Sequence, residues 1–232
     1  MIRIEHTQVY GWQAAIRGMR NPLESWDKTD SHWCTACVNA NVNAGECPTE
    51  KLGGDMDTHY FNGCYILGEN DLALAKKLSK AGSDHGKYLR MINVTMDVTA
   101  PLYWWKEADT YAVGVVKNSC STMHKIHSRP LVLADFSCEK LNERAMSHLQ
   151  ETVGLLNDYR VVFNATKDKK HWWQIIQTLP TSYNQKRTVQ LNYQVLKNMY
   201  HARKAHKLDE WREFCEWVRS LPYSELITGE EA

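Results

Sequence analysis

A long stretch without hydrophobic periodicity limits the folds open to this sequence. Residues 23–67 are rich in Asn, Gly, Thr and Cys and show neither the 3.6-residue period of a helix nor the alternation of a strand. The chain on both sides of the stretch does carry such patterns. We therefore interpret residues 23–67 as an irregular, Cys-rich insertion, and we expect the core to be built from the residues before and after it.

The patterned segments predict a mixture of strands and helices, hence an α+β fold. Residues 188–206 place Leu191, Val195, Met199 and Ala202 on one face and predict an amphipathic helix. The pattern does not decide between helix and strand for residues 101–116. Strands are expected at 2–10 and 88–98, and further helices at 11–20, 71–81, 147–159, 170–177 and 209–220.

Composition and charge exclude several functional classes. Of the 232 residues, 43% are hydrophobic and 24% are charged, which is typical of a globular protein with a core. The net charge of +1 argues against a binder of nucleic acid or of an anionic membrane. No stretch approaches the roughly 20 apolar residues of a membrane helix, and the first residues do not resemble a signal peptide. We therefore expect a cytoplasmic protein without a membrane segment.

The insertion holds a group of residues suited to a metal ion. Cys34 and Cys37 form a CxxC pair, and Cys47 and Cys64 follow. Structural zinc takes four N or S ligands, so these four cysteines, or three of them with His59, predict a zinc ion that holds the insertion in place. Free buried thiols are the alternative interpretation.

Two polar groups outside the insertion are candidate ligand-binding sites. The segment that includes Asn118 and Ser121 could hold an anion, or could simply cap a following helix. Asn192, Asn198 and Arg203 lie on one predicted helix. Asn offers a donor and an acceptor to a flavin or pyrimidine edge, and Arg offers a planar fork to a phosphate. A solvated polar face is the alternative. The GxSxG, P-loop and GxGxxG motifs are not present in the sequence.

The order and spacing of several short elements resemble the flavin-dependent thymidylate synthases over residues 1–22 and 66–220. No single element decides the resemblance, which depends on the series as a whole. In chain order the elements are Ala14-Ala15-Ile16-Arg17, Asp84-His85, the strand that runs into Ala100-Pro101-Leu102-Tyr103, Lys106-Glu107, Asn118 with Ser121, Leu179-Pro180, then Asn192, Leu196, Asn198 and Arg203, and finally Glu210 with Arg212.

The resemblance implies a fold and an activity. The fold would be an antiparallel sheet flanked by helices. The enzyme would be a homotetramer with sites between subunits, and it would bind FAD and dUMP. It would use methylenetetrahydrofolate and NADPH as co-substrates. Asn118, Asn192 and Asn198 would contact the flavin, Ser121 and Arg203 would act on the nucleotide, and Glu107 would touch the nucleotide in place of a glutamine.

Several arginines of the family pattern are replaced in this chain. The replacements fall at Thr110–Ala112, Met123, Ile176 and Gln194. Each lost arginine removes a charge-assisted hydrogen bond to phosphate that is typically worth ~1.5–3 kcal/mol. A nucleotide-binding or regulatory protein that has lost catalysis is therefore the alternative to an enzyme. Other cations could replace the arginines, namely Lys106, Lys117, Lys125, Arg129 and Arg90.

Overall fold

The computed structural model describes residues 1–33 and 65–230. Within these ranges the strands are β1 (Arg3–Tyr10), β2 (His32–Trp33), β3 (Tyr65–Ile66), β4 (Asn93–Pro101), β5 (Val116–Ser119) and β6 (Asn184–Asn192). The α-helices are α1 (Trp12–Arg20), α2 (Glu69–Lys80), α3 (Leu102–Ala108), α4 (Glu143–Thr166), α5 (Lys169–Thr178), α6 (Tyr193–Arg203), α7 (Asp209–Arg219) and α8 (Glu225–Thr228).

Four strands form an antiparallel sheet in the order β1-β4-β6-β5. Burial alternates along β4, where Val94, Met96 and Val98 are buried and the residues between them are half-buried. This is the period of two expected of a strand whose faces differ in burial. β2 and β3 form a separate two-stranded antiparallel ribbon, and the expected insertion lies largely between them.

The fold class and most predicted elements are confirmed. The expected strand at 2–10 and the expected helices at 11–20, 71–81, 170–177 and 209–220 each match an element within two residues. The helix expected at 147–159 is longer and spans Glu143–Thr166. The strand expected at 88–98 is displaced, because residues Gly86–Arg90 form a 3-10 helix and β4 begins at Asn93.

Two local predictions are wrong. The helix expected at 188–206 begins only at Tyr193, because residues Asn184–Asn192 form strand β6 and Leu191 belongs to that strand. The polar segment after residue 118 caps no helix, since Asn118 lies in β5 and turns follow it. In both places tertiary pairing with a neighbouring strand overrides the local pattern.

The chain divides into two compact units, which interleave along the sequence. The first unit comprises Met1–Arg3, Val98–Thr110 and Asn118–Thr188. The second comprises Ile4–Asp97, Tyr111–Lys117 and Val189–Ala232. The description of the whole chain as one domain with an insertion stays a prediction.

The core of the first unit lies around the α4–α5 helical pair. Leu149, Val153 and Leu156 on α4 pack in one buried cluster with Ile175 on α5 and with Phe136. Both helices are capped by side chains: the Asn142 carboxamide accepts from the Ala145 amide and the Asp168 carboxylate accepts from the Lys170 amide. Such caps satisfy amides that have no partner within the helix.

The second unit contains a buried ion pair between Arg20 and Asp71. The Arg20 Nε donates to Asp71 Oδ1 over 2.6 Å, and both side chains are almost completely buried. Asp71 Oδ2 also accepts from the hydroxyls of Thr29 and Ser31 and from the Ser31 amide. Desolvation alone would raise the pKa of Asp71, but these hydrogen bonds and the Arg20 charge hold it below the usual value. The pair therefore fixes the chain that leads into β2.

The junction between β1 and α1 requires glycine. Gly11 adopts a left-handed backbone conformation with φ +97°, and a Cβ there would lie 2.2 Å from the Met91 carbonyl oxygen. Because backbone atoms cannot move aside as a flexible side chain can, another residue would force the helix and the neighbouring loop apart.

No helix in the described ranges combines the length and the hydropathy that a bilayer crossing requires. Three cysteines fall within these ranges, Cys120, Cys138 and Cys215, and all three are free thiols.

The ion pair gives a stability prediction. We expect Asp71→Asn to lower the free energy of unfolding by roughly 3–5 kcal/mol, because it leaves the Arg20 charge buried without its partner. Urea denaturation followed by far-UV circular dichroism measures the change. The matched control is Asp27→Asn, which removes the same charge from an exposed position and should change stability by less than about 0.5 kcal/mol. Equal effects of the two substitutions would contradict the assigned role of the pair.

Candidate functional site

A cavity in the first unit contains the candidate serine. Its volume is about 620 Å³, which lies within the usual range of ligand pockets. Side chains from β4, β6 and the loop after β5 line it. The lining includes Arg3, Ser121, Lys125, Arg129, Asp135, Tyr183 and Lys186. We call this space the cationic cavity.

Positive charge predominates in the cationic cavity. Arg3, Lys125, Arg129 and Lys186 line it, and Asp135 is the carboxylate among the lining residues that the structure describes. No carboxylate within those parts of the chain forms an ion pair with Lys125. Such an arrangement attracts an anion of small size, since low-dielectric walls strengthen the attraction.

Arg129 is engaged by Asp135 through a two-point contact. Its NH1 donates to Asp135 Oδ2 over 2.8 Å and its NH2 donates to Oδ1 over 2.6 Å. The Val132 amide adds a further hydrogen bond of 2.9 Å to Oδ2. Desolvation would raise the pKa of Asp135, but the bonds from Arg129 and Val132 outweigh it and hold the pKa below its usual value. Asp135 therefore stays ionised at neutral pH, and its negative charge offsets part of the positive charge of Arg129.

Tyr183 supplies a neutral hydroxyl to the same cavity. Burial, followed by the nearby Asp135 carboxylate, raises the pKa of its phenol, and the charge of Arg129 offsets this only in part. The ring meets Phe136 edge to face at 5.7 Å between centroids. Tyr183 is therefore a fixed, protonated donor rather than a phenolate.

Ser121 lines the cavity and also closes a turn. Its Oγ accepts from the amides of Met123 over 3.2 Å and of His124 over 2.8 Å. Both contacts use lone pairs, so the hydroxyl proton remains available for a ligand. Closing the turn therefore leaves the Ser121 hydroxyl able to donate to a ligand.

The predicted site residues fall into two groups. Ser121 lies in the cationic cavity of the first unit. Asn118 and Glu107 belong to the same unit but do not line that cavity: Asn118 is exposed on β5, and Glu107 is half-buried on α3. The other three, Asn192, Asn198 and Arg203, belong to the second unit.

The three residues of the second unit lie at the start, middle and end of α6. Asn192 caps the helix, since its Oδ1 accepts from the Val195 amide over 3.1 Å. Asn198 is exposed and accepts from the Gln194 carboxamide over 3.1 Å. Each therefore has a structural role in addition to the predicted role in ligand binding.

Arg203 is held between aromatic rings. Its guanidinium carbon lies 4.8 Å from the Trp211 ring centroid and 5.6 Å from that of Tyr111. Its Nε donates to the Tyr111 hydroxyl over 2.9 Å. Cation–π contacts of this kind hold a guanidinium in one orientation.

The predicted zinc ligands Cys34, Cys37, Cys47 and Cys64, and the alternative ligand His59, lie outside the described residues. Over the ranges that the structure describes, no cluster of three or more metal-ligating side chains is found.

The structure adds residues that the sequence patterns do not single out as site residues. Lys186 and Arg187 are adjacent on β6, yet Lys186 lines the cavity and Arg187 lies over the Trp105 ring at 4.1 Å. The alternation of a strand explains this difference, but the sequence pattern predicts no strand at these two residues. Lys125 and Arg129, two of the cations named as replacements for lost arginines, do line the cavity.

The fold of this chain has counterparts among solved structures. No protein-family model matches the sequence, and no curated protein matches it. A structure of the flavin-dependent thymidylate synthase ThyX from Helicobacter pylori, complexed with FAD and dUMP, superposes with a TM-score of 0.64 at 13% sequence identity, covering 98% of both chains. This chain has the fold of the flavin-dependent thymidylate synthases. A second structure of Helicobacter pylori ThyX with FAD and dUMP gives a TM-score of 0.63 at 14% identity, covering 99% of this chain and 98% of the other.

The two comparisons cover nearly the full length of both chains. The resemblance in short, ordered elements is confirmed at the level of fold. At such low identity the likeness shows the fold alone, because ligands and reaction depend on the particular residues of the site.

The Arg129–Asp135 pair predicts a dependence of stability on pH. The folded-state pKa of Asp135 is depressed, so its contribution is present above the unfolded-state pKa of about 3.9 and is lost as the pH falls through the lower, folded-state value. Asp135→Asn should therefore lower stability at pH 7. The difference from the parent protein should shrink below about pH 4. Urea denaturation at a series of pH values measures this, and a difference that grows on acidification would contradict it.

Proposed function

We propose that this protein is a FAD-dependent, thymidylate synthase-like enzyme that reductively methylates dUMP or a related pyrimidine nucleotide. The observation that carries the proposal is a cavity lined by cations, containing Ser121, in a chain whose fold is similar to that of ThyX. The related structures hold FAD and dUMP. Methylenetetrahydrofolate as the carbon donor and NADPH as the reductant complete the proposal.

In this proposal the cationic cavity holds the nucleotide. Lys125 and Lys186 attract the phosphate in place of the family arginines. An ammonium group is a point charge, so it binds a phosphate but does not fix its orientation as a guanidinium does. The hydroxyls of Ser121 and Tyr183 donate to polar atoms of the nucleotide. Binding and orientation of the substrate are the contributions that these residues make to the reaction.

The residues around α6 are compatible with a flavin. The Oδ1 atom of Asn192 caps the helix, but its Nδ2 forms no hydrogen bond in the described part of the chain and can donate to a ring carbonyl. Asn198 is exposed, and its own carboxamide N–H groups are likewise available. We propose separately, from its place in the family series alone, that Arg203 contacts a nucleotide. When bound, FAD supplies the hydride that reduces the transferred carbon unit.

The pairing of two arginines and the loss of others favour a second function. Arg129 is paired with Asp135, Arg203 is hydrogen-bonded to Tyr111, and the family positions at Met123 and Gln194 carry no charge. These features suit a nucleotide-binding or regulatory protein that has kept the fold and lost catalysis. The two candidates share the nucleotide site and differ in the need for flavin.

The visible spectrum of the purified protein discriminates between them. For the enzyme we expect a flavin spectrum with added FAD, and a change in that spectrum on titration with dUMP. A protein that binds dUMP by calorimetry but leaves the FAD spectrum unchanged would indicate the regulatory alternative. A protein that binds neither FAD nor dUMP would contradict both.

A double variant and a matched control test whether the nucleotide binds in the cationic cavity. The combination Lys125→Gln with Lys186→Gln should weaken dUMP binding by at least about tenfold, because each substitution removes a charged contact to phosphate. Isothermal titration calorimetry measures the affinity. Lys77→Gln is the matched control, since this exposed lysine lies on α2 of the second unit and outside the cavity. An equal loss of dUMP affinity in the double variant and in the control would contradict binding of the nucleotide in the cationic cavity.

Two further parts of the proposal concern assembly and metal. We propose a homotetramer, as the family resemblance implies. Leu155 (44% exposed) and Val162 (39% exposed) lie seven residues apart on one face of α4 and are candidates for a subunit contact. We also propose that a structural zinc ion binds Cys34, Cys37, Cys47 and Cys64, which metal analysis of the purified protein can test.

The assembly prediction can be tested on α4. Leu155→Glu combined with Val162→Glu should convert the tetramer to a smaller species, because two charges would then have to be buried at the contact. Size-exclusion chromatography with multi-angle light scattering gives the mass. Gln150→Glu adds a charge at an exposed polar position of the same helix and should leave the mass unchanged. A parent protein that is already monomeric would contradict the proposal.

A further inference from the structure

A second, smaller cavity lies in the second unit, against α1 and the chain that follows it. Its volume is about 290 Å³, at the lower end of the range for ligand pockets. Its lining includes Gln13, Ile16 and Arg17 on α1, together with Trp26 and Tyr65. We call this space the aromatic pocket. It shares no lining residue with the cationic cavity.

Two aromatic rings wall the aromatic pocket, and both are held in place. Half of the Trp26 surface is exposed, yet its indole nitrogen donates to Asn21 Oδ1 over 2.8 Å. The Tyr65 ring meets Trp33 edge to face at 5.1 Å between centroids. An exposed indole that is fixed by a hydrogen bond presents a flat apolar face at little further cost in entropy.

The base of the aromatic pocket is rigid and electrically satisfied. Arg20 contributes to the lining, but its guanidinium donates to Asp71, to Ser25 and to the Lys28 carbonyl. The buried Ile16 side chain supplies an apolar surface beside it. The base therefore offers packing surface and no unpaired charge.

The rim of the aromatic pocket, in contrast, carries a cation. Arg17 and Gln13 lie one helical turn apart on α1, and both are exposed. Within the described residues no carboxylate forms an ion pair with Arg17. An arginine without a carboxylate, next to a fixed aromatic face, suits a ligand that is flat and carries one negative group.

We propose that the aromatic pocket binds a planar aromatic anion of one or two rings. The ring packs against Trp26, Tyr65 and Ile16, and a carboxylate or equivalent anionic group accepts from the Arg17 guanidinium. Gln13 contributes a second hydrogen bond at the rim. This site is separate from the nucleotide and flavin residues of the proposed function, and its binding does not depend on them.

The experiment uses two probes of the same shape on the full chain. 2-Naphthoate carries the negative charge, and 2-naphthamide is its neutral counterpart. Isothermal titration calorimetry should show saturable binding of naphthoate at concentrations up to about 1 mM, and weaker binding of the amide. Arg17→Gln should weaken naphthoate about tenfold and leave the amide unchanged, because only the charged contact is lost. Trp26→Leu should weaken both probes.

Controls locate the probe and separate binding from folding. Arg144→Gln removes the same charge from an exposed position on α4 and should leave naphthoate affinity unchanged. Thermal unfolding of each variant confirms that the fold is intact. Three results would overturn the proposal: no binding of either probe, naphthoate binding that Arg17→Gln does not weaken, or naphthoate binding that Lys125→Gln abolishes, which would place the probe in the cationic cavity.

Discussion

The arrangement of the second unit depends on the buried pair of Arg20 and Asp71. Two ions in the core are costly to desolvate, and several hydrogen bonds to both partners offset that cost here. A neighbouring carboxylate, Asp30, accepts from the amides at the start of α2 and so joins the same group. Helix α1, helix α2 and the chain entering β2 are thereby held at a common point. An apolar pair would form no hydrogen bonds to these three segments and so would not fix their relative positions in this way.

The cationic cavity shows how a change in residue type alters what a site can recognise. An arginine presents two parallel N–H groups that match two oxygens of a phosphate, whereas a lysine presents a point charge. With Arg129 paired to Asp135, the cations of the cavity besides it are Arg3 and two lysines, and the hydroxyls of Ser121 and Tyr183 stand beside them. Such a site attracts an anion strongly and orients it through its neutral donors.

The hydrophobic pattern predicts most elements of this fold because each of them is long enough to show its period. Helix α2 and helix α7 are examples, since apolar residues recur along them at helical spacing. Strand β6 was not predicted. Its apolar residues Val189 and Leu191 continue into α6 at a spacing that also fits a helix, so the sequence offers no signal for the change at Asn192.

The candidate site was predictable only in part for a similar reason. Ser121 could be located by its place in an ordered series, and Lys125 and Arg129 by their charge and position. Tyr183 and Lys186 carry no local signal, because they approach Ser121 through strand pairing between segments over 60 residues apart. Sequence spacing reports neighbours along one element, and the partners of a site come from several elements.

The direct passage from β6 into α6 restricts how the length of this chain can change. Asn192 is at once the last residue of the strand and the cap of the helix, so no loop residue separates them. One residue inserted within β6 would reverse the faces of all following strand positions, and it would turn the start of the helix by about 100°. Deletion of one residue would also reverse the strand faces, and it would turn the start of the helix by about 100° in the opposite direction. Insertions and deletions should therefore be rare between Asn184 and Arg203 among natural relatives, even where the residue types vary widely.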